Sequence, residues 1–157
     1  MENEIKIVEI TEMSQEVLDA FALLTPQLSS SASIPTWDEL DDLIRSKASI
    51  LLAAMDSADN DHIVGSLTLA VFRLPTGIRS WIEDVVVDSN KRGKGIGEKL
   101  VRAAIERAHQ EGAKTVDLTS RPSREAANRL YQRCGFETRE TNIYRFTIKQ
   151  NKKQAGS

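Results

Sequence analysis

The spacing of apolar residues in the first part of the chain predicts a strand followed by two helices. Apolar and polar residues intermingle from Ile5 to Ile10, which indicates an opening strand. From Val17 to Leu24 the apolar residues recur at helical spacing, which predicts a helix. A serine-rich break at Ser29–Ser33 precedes a second predicted helix that begins near Thr36.

The middle of the chain predicts an antiparallel meander followed by a long helix. Three β-rich apolar runs are joined by polar turns: Ile50–Ala54, Ile63–Phe72 and Trp81–Val87. The segment Ile96–Gln110 then places its apolar residues on one side and charge pairs outside, and Gly112 ends it.

The last part of the chain also predicts strands and a helix in succession. It predicts a short strand at Thr115–Thr119, a helix from Ala126 to Cys134 with Ser123 as its cap and Gly135 as its stop, and closing strands at Phe136–Thr138 and Ile143–Ile148. We expect one domain over residues 1–148 and a frayed tail over residues 149–157, which lack apolar side chains apart from one alanine.

Composition excludes several classes of function. The chain has 157 residues, and its 21 Lys and Arg residues against 23 Asp and Glu residues give a net charge of −2, so we expect no nucleic-acid partner. No apolar stretch reaches the roughly 20 residues of a membrane span. A single cysteine and two separated histidines predict no disulfide and no metal site, and we expect a cytoplasmic protein.

The most informative motif is a glycine-rich loop between the third β-rich run and the long helix, Arg92-Gly93-Lys94-Gly95-Ile96-Gly97. Alternating glycines let successive N–H groups turn inward, and the helix adds its free first-turn donors and the positive end of its dipole. Nearby cations, Lys91, Arg92, Lys94 and Lys99, favour a phosphorylated ligand. The alternative is a tight turn that packs a helix against a strand.

Spacing excludes two common phosphate loops. A dinucleotide fingerprint needs a third glycine where Glu98 stands, and a nucleotide-triphosphate loop needs a Gly-Lys pair followed by Ser or Thr. The remaining pattern, Arg-x-x-Gly-x-Gly from Arg92 to Gly97, resembles the pyrophosphate loop of the GNAT superfamily of acyl-coenzyme A-dependent N-acyltransferases. A second segment, from Ala126 to Glu137, is similar to the last helix of that superfamily, with its Tyr and its Gly-Phe pair.

The resemblance covers Ile50 to Ile148 and implies the fold and the cosubstrate. The expected fold is a single α/β GNAT domain with a mixed, mostly antiparallel sheet of six to seven strands, helices on both faces and a splay beside the loop. Acetyl-CoA would bind in this splay, and no metal is expected. The residues implied to hold it are Val85, Val86 and Val87 on the strand edge, and Arg92, Gly93, Lys94, Gly95, Ile96, Gly97 and Glu98 in the loop.

Tyr131 matches the family tyrosine that faces the coenzyme sulfur, and its hydroxyl could protonate the leaving thiolate. The alternative is a tyrosine that packs in the core. Many relatives have Asn seven residues before this Tyr, where this chain has Arg124, and Asn128 on the same helix face is the candidate to contact the coenzyme instead. Cys134 lies on the apolar face without a neighbouring His and is expected to be inert.

Two carboxylates interrupt the third β-rich run. Strict alternation would place Glu83 and Asp84 on opposite faces, so that only one meets the acceptor. Glu83 best matches the general base of the family, acting directly or through water, and Asp84 is the weaker candidate. The run from Ile82 to Asp88 is similar to a strand of glucosamine-phosphate N-acetyltransferases, and the segment Leu28–Trp37 is implied to help form the acceptor pocket.

We therefore predict an N-acetyltransferase that moves an acetyl group from acetyl-CoA to a primary amine by direct attack in a ternary complex. The acceptor is expected to be a small-molecule or peptide amine, and the sequence leaves room for a homodimer. The alternative from another class is a non-catalytic acyl-CoA-binding or sensing module, which would keep the loop but not need Tyr131.

Overall fold

The computed structural model describes residues 4–150, which form one five-stranded sheet and four α-helices. The elements in chain order are β1 (Ile5–Glu9), α1 (Gln15–Leu28), α2 (Trp37–Arg45), β2 (Ser49–Asp56), β3 (His62–Leu74), β4 (Gly77–Val87), α3 (Ile96–Gln110), β5 (Val116–Asp117) and α4 (Glu125–Arg133). Single 3₁₀ turns at Ser57–Asp59 and Ser89–Lys91 follow β2 and β4.

The sheet follows the order of the chain. Strands β1 to β4 pair as an antiparallel meander, and β5 runs parallel to β4. The last two strands pair only where Ser80 meets Val116 and Trp81 meets Asp117. Within the part of the chain that the structure describes, no strand pairs with the β5 side of β4 from Ile82 onward. The predicted splay of the sheet is therefore present and lies next to the glycine loop.

Helices cover both faces of the sheet, as expected. Helices α1 and α2 pack on one face around Val17, Leu24, Leu40, Ala53 and Val86. Helix α3 packs on the other face around Leu52, Leu67, Leu69, Leu100 and Ala104, and α4 adds half-buried apolar residues there. Leu24, Leu67 and Leu100 are fully buried.

Local sequence explains the helix starts. Thr36 forms a capping box with Glu39: its hydroxyl accepts from the Glu39 N–H at 3.2 Å, and the Glu39 carboxylate accepts from the Thr36 N–H at 3.1 Å. The prediction of a helix beginning near Thr36 is thus confirmed. Ser14 caps α1 in a similar way, through the Val17 N–H.

The predicted closing strands are wrong for this structure. Neither Phe136–Thr138 nor Ile143–Ile148 is a strand, so the described sheet has five strands instead of six to seven. Alternation shows that a segment could form a strand. A strand must also pair with the edge of another strand, and neither predicted segment does so in this structure. The start of α4 also differs: its N-cap is Arg124, without a side-chain hydrogen bond, instead of Ser123.

The remaining expectations concern the chain ends and absent features. Most of the predicted tail, residues 151–157, lies outside the described residues, so the domain boundary at residue 148 stays a prediction. Between residues 4 and 150 no helix is both long and apolar enough to cross a membrane. The same residues include no cluster of His, Cys, Asp and Glu side chains arranged to hold a metal ion.

Candidate active site

The glycine loop presents a row of backbone donors at the N-terminus of α3. Gly93 has φ 81° and Gly95, the N-cap of α3, has φ 74°, both in the left-handed region that favours glycine. The N–H groups of Ile96, Gly97 and Glu98 lie in the first turn of α3, where a helix leaves its donors unpaired, and within residues 4–150 no turn or cap hydrogen bond is donated by residues 92–95. Free N–H groups at the positive end of a helix dipole are suited to an anion such as pyrophosphate.

Helix α1 anchors the strand end that leads into the loop. The Gln27 side chain donates to an Asp88 carboxylate oxygen at 3.3 Å and accepts from the Ser89 N–H at 2.8 Å. The same Asp88 oxygen accepts from the Asn90 N–H at 3.2 Å. These bonds join residues 61 and 62 positions apart, and no local sequence pattern indicates them.

Lys91 does not belong to the free cations of the loop. Its Nζ lies 3.1 Å from a carboxylate oxygen of Asp56 and 3.4 Å from one of Asp59. The pKa of the Asp56 carboxyl is lowered, first by the hydrogen bond from the Ala58 N–H and then by Lys91. The pKa of Lys91 is raised chiefly by its bond to Asp56. Lys91 therefore ties the loop to the β2–β3 turn.

The cations that stay exposed around the loop are Arg92, Lys94 and Lys99. The Glu98 side chain lies near two arginines, 3.6 Å from Arg102 and 3.4 Å from Arg133. It therefore links α3 to α4, and only its backbone N–H belongs to the donor row.

Glycine is favoured at different positions of the loop for different physical reasons. A Cβ on Gly93 or Gly95 would meet no atom within 4 Å, so the positive φ is what favours glycine there. Gly97 has no positive φ, but a Cβ on it would lie 3.3 Å from Leu130 Cδ1 and 3.9 Å from Val87 Cγ2. Gly97 thus allows α3 to approach α4 and β4 closely.

A β-bulge corrects the predicted orientation of the two carboxylates. The register between β3 and β4 shifts after the Thr68–Glu83 pair, and Asp84 has φ 52°. Glu83 lies directly opposite Thr68, so the two share a face of the sheet. Thr68 and Asp84 both line the cavity on the α1–α2 face. The bulge therefore brings Glu83 and Asp84 to the same face instead of opposite ones.

The cavity on this face has a volume of about 420 Å³, within the usual range for small-molecule sites. It lies between α1, α2 and the bulged part of the sheet. Its lining residues are Phe21, Thr25, Leu28, Ser29, Ala32, Ser33, Pro35, Glu39, Leu40, Leu43, Thr68, Asp84 and Val86. Several of them come from the segment Leu28–Trp37, which the family resemblance implied for the acceptor.

Tyr131 lies half-buried on α4, with its ring edge-on to Phe136 at a centroid distance of 6.0 Å. Burial raises the pKa of its hydroxyl, and the nearby Arg124 opposes this only in part. The hydroxyl is therefore protonated at neutral pH. Within residues 4–150 no hydrogen bond engages this hydroxyl, and it is not sealed from solvent, so it is free to donate to a ligand.

Asn128 and Cys134 lie on the same helix as Tyr131. The Asn128 side-chain N–H donates to the Arg121 carbonyl at 3.0 Å, which ties the helix to the preceding loop. Its predicted contact with the coenzyme stays a prediction. Burial raises the pKa of the Cys134 thiol, which disfavours the nucleophilic thiolate.

Comparison with known proteins agrees with this geometry. The model of the Acetyltransferase (GNAT) family matches residues 16–136. The chain belongs to this family. Glucosamine 6-phosphate N-acetyltransferase 1 of Oryza sativa subsp. japonica is 29% identical over 136 residues, 84% of this chain and 79% of the relative. An L-2,4-diaminobutyric acid acetyltransferase of Marinococcus halophilus is 32% identical over 85 residues, 54% of this chain and 48% of the relative.

Solved structures share the fold of this GNAT domain. An aminoglycoside acetyltransferase from an uncultured soil metagenomic sample aligns with a TM-score of 0.79 at 21% identity, covering 93% of this chain and 97% of that one. Glucosamine-6-phosphate N-acetyltransferase from Arabidopsis thaliana aligns with a TM-score of 0.74 at 22% identity, covering 92% and 99%. At these identities the likeness establishes the fold alone.

Proposed function

We propose that this GNAT acetyltransferase transfers an acetyl group from acetyl-CoA to a primary amine. The observation that carries the proposal is the row of free N–H groups at residues 92–98, which begins beside the splay between β4 and β5. A pyrophosphate at this row would place the rest of the coenzyme along the open edge of β4. Val85, Val86 and Val87 lie on this edge and would pair with the pantetheine arm.

The acceptor would enter from the cavity on the α1–α2 face, where Glu83 and Asp84 share the bulge. The amine nitrogen attacks the thioester carbonyl carbon and forms a tetrahedral intermediate, whose oxyanion the strand-edge N–H groups would stabilise. Glu83, directly or through water, takes the proton that the attacking nitrogen loses. The C–S bond then breaks, which leaves an amide and the coenzyme thiolate.

Tyr131 would protonate this thiolate. Its hydroxyl is protonated at neutral pH and has no other partner among the described residues, which suits a proton donor. Cys134 is a poor candidate for a covalent intermediate because burial raises the pKa of its thiol. A direct attack in a ternary complex is therefore the mechanism that the described residues support best. A chain with a single cysteine also fits the reducing cytoplasm.

The test combines calorimetric binding of coenzyme A with an assay of free thiol release from acetyl-CoA over a panel of amines and peptides. We expect coenzyme binding and turnover with at least one primary amine. Tight coenzyme binding without turnover on any acceptor would instead support the acyl-CoA-sensing alternative. No coenzyme binding would refute both.

A further inference from the structure

The lining of the acceptor cavity has one sign of charge. Its charged side chains are the carboxylates of Glu39 and Asp84, and no Lys, Arg or His contributes to it. A third carboxylate, Glu83, lies on the same face of the sheet opposite Thr68. Such a site attracts an ammonium group and repels a phosphate.

Most of the remaining wall is apolar. Phe21 and Leu28 from α1 and Leu40 and Leu43 from α2 line the cavity opposite the sheet. Apolar walls suit an aliphatic or aromatic body more than a sugar ring covered with hydroxyl groups, which would lose its bonds to water there.

We propose that the acceptor is a small amphipathic amine without a phosphate, bound by its apolar body between α1 and α2 and by its ammonium group at Asp84. This inference rests on the proposed acetyl transfer and names its substrate class. It distinguishes this chain from its rice relative, whose name specifies glucosamine 6-phosphate. The charged residues that line the cavity are all carboxylates, and these would repel a phosphate.

The first test uses acceptor pairs that differ by one phosphate, tyramine against O-phosphotyramine and glucosamine against glucosamine 6-phosphate. We expect kcat/KM for tyramine to exceed that for O-phosphotyramine at least about tenfold, and glucosamine 6-phosphate to be the poorest of the set. Equal or faster turnover of the phosphorylated members would overturn the inference while leaving acetyl transfer intact. If the protein binds coenzyme but acetylates no amine, both proposals fail.

The second test uses the backbone of Asp84 to choose a matched control. Asp84 and the exposed Asp61 both have positive φ, 52° and 57°, a conformation that Asn tolerates well. Asp84→Asn should therefore fold, raise KM for tyramine about tenfold and reduce the preference over O-phosphotyramine. Asp61→Asn, outside the cavity lining, should leave both unchanged. An unchanged preference in Asp84→Asn would overturn the assignment of Asp84.

Discussion

The left-handed conformation of Gly95 gives the sharpest test of the coenzyme loop. We consider Gly95→Val, with Gly95→Asn as its control. A Cβ at this position meets no atom within 4 Å, so the feature under test is φ 74° and not the space for a Cβ. Val strongly disfavours this region, whereas Asn visits it readily.

The magnitude follows from the backbone strain. Forcing an ordinary L-residue into the left-handed region costs roughly 1–2 kcal/mol, and more for a β-branched side chain. Because the loop is exposed, we expect it to relax to another conformation and lose its donor geometry. The strain then appears as a lower coenzyme affinity. Because a relaxed loop loses a contact instead of carrying the strain, the two costs do not add. One lost hydrogen bond to a charged group costs about 1.5–3 kcal/mol, so coenzyme A should bind about 10- to 150-fold more weakly to Gly95→Val.

The assay is calorimetric titration with coenzyme A, combined with thermal unfolding. Gly95→Asn should bind within about threefold of wild type, and both variants should stay folded. Turnover with S-acetylpantetheine, which lacks the pyrophosphate, should be nearly equal in all three proteins. Unchanged coenzyme affinity in Gly95→Val would refute the assignment of the loop as a pyrophosphate site.

Other predictions concern the reacting groups and the ion pair below the loop. Tyr131→Phe keeps the ring packing but removes the proton donor, so kcat should fall about 10²- to 10⁴-fold at constant coenzyme affinity; wild-type turnover would make Tyr131 a packing residue. Glu83→Gln should lower kcat most at pH values below the pKa of the amine, and a pH-independent loss would indicate positioning instead. Lys91→Met should lower the melting temperature. The pKa of Asp56 is depressed in the folded state. The difference in melting temperature between wild type and Lys91→Met should therefore be constant above about pH 5 and shrink below pH 3.8, which thermal unfolding across pH can check.

The sequence predicted the parts of the site that depend on local chemistry. The bounds of α3, the capping box at Thr36 and the alternating glycines at residues 92–97 follow from periodicity, caps and φ preferences, which act over a few residues. The family followed from the spacing within the glycine motif and within the Tyr131 segment. These features can be predicted without knowing which residues lie across the sheet.

Only the tertiary structure decided how the two carboxylates of β4 are placed. Alternation predicted opposite faces for Glu83 and Asp84, and the bulge brings them together because β4 has one more residue than β3 between the pairs Thr68–Glu83 and Ser66–Val86. Lys91 likewise reads as a phosphate ligand from its neighbours in sequence, but Asp56, 35 residues away, binds it.

The C-terminal strands show the same limit. The alternation at Ile143–Ile148 shows that this segment could form a strand, whereas the structure leaves its large apolar side chains exposed and outside the five-stranded sheet. Local patterns determine which residues can form a strand, a helix or an anion site. Which groups meet is decided by register and long-range pairing, since these depend on the free energy of the whole fold and not on any one segment.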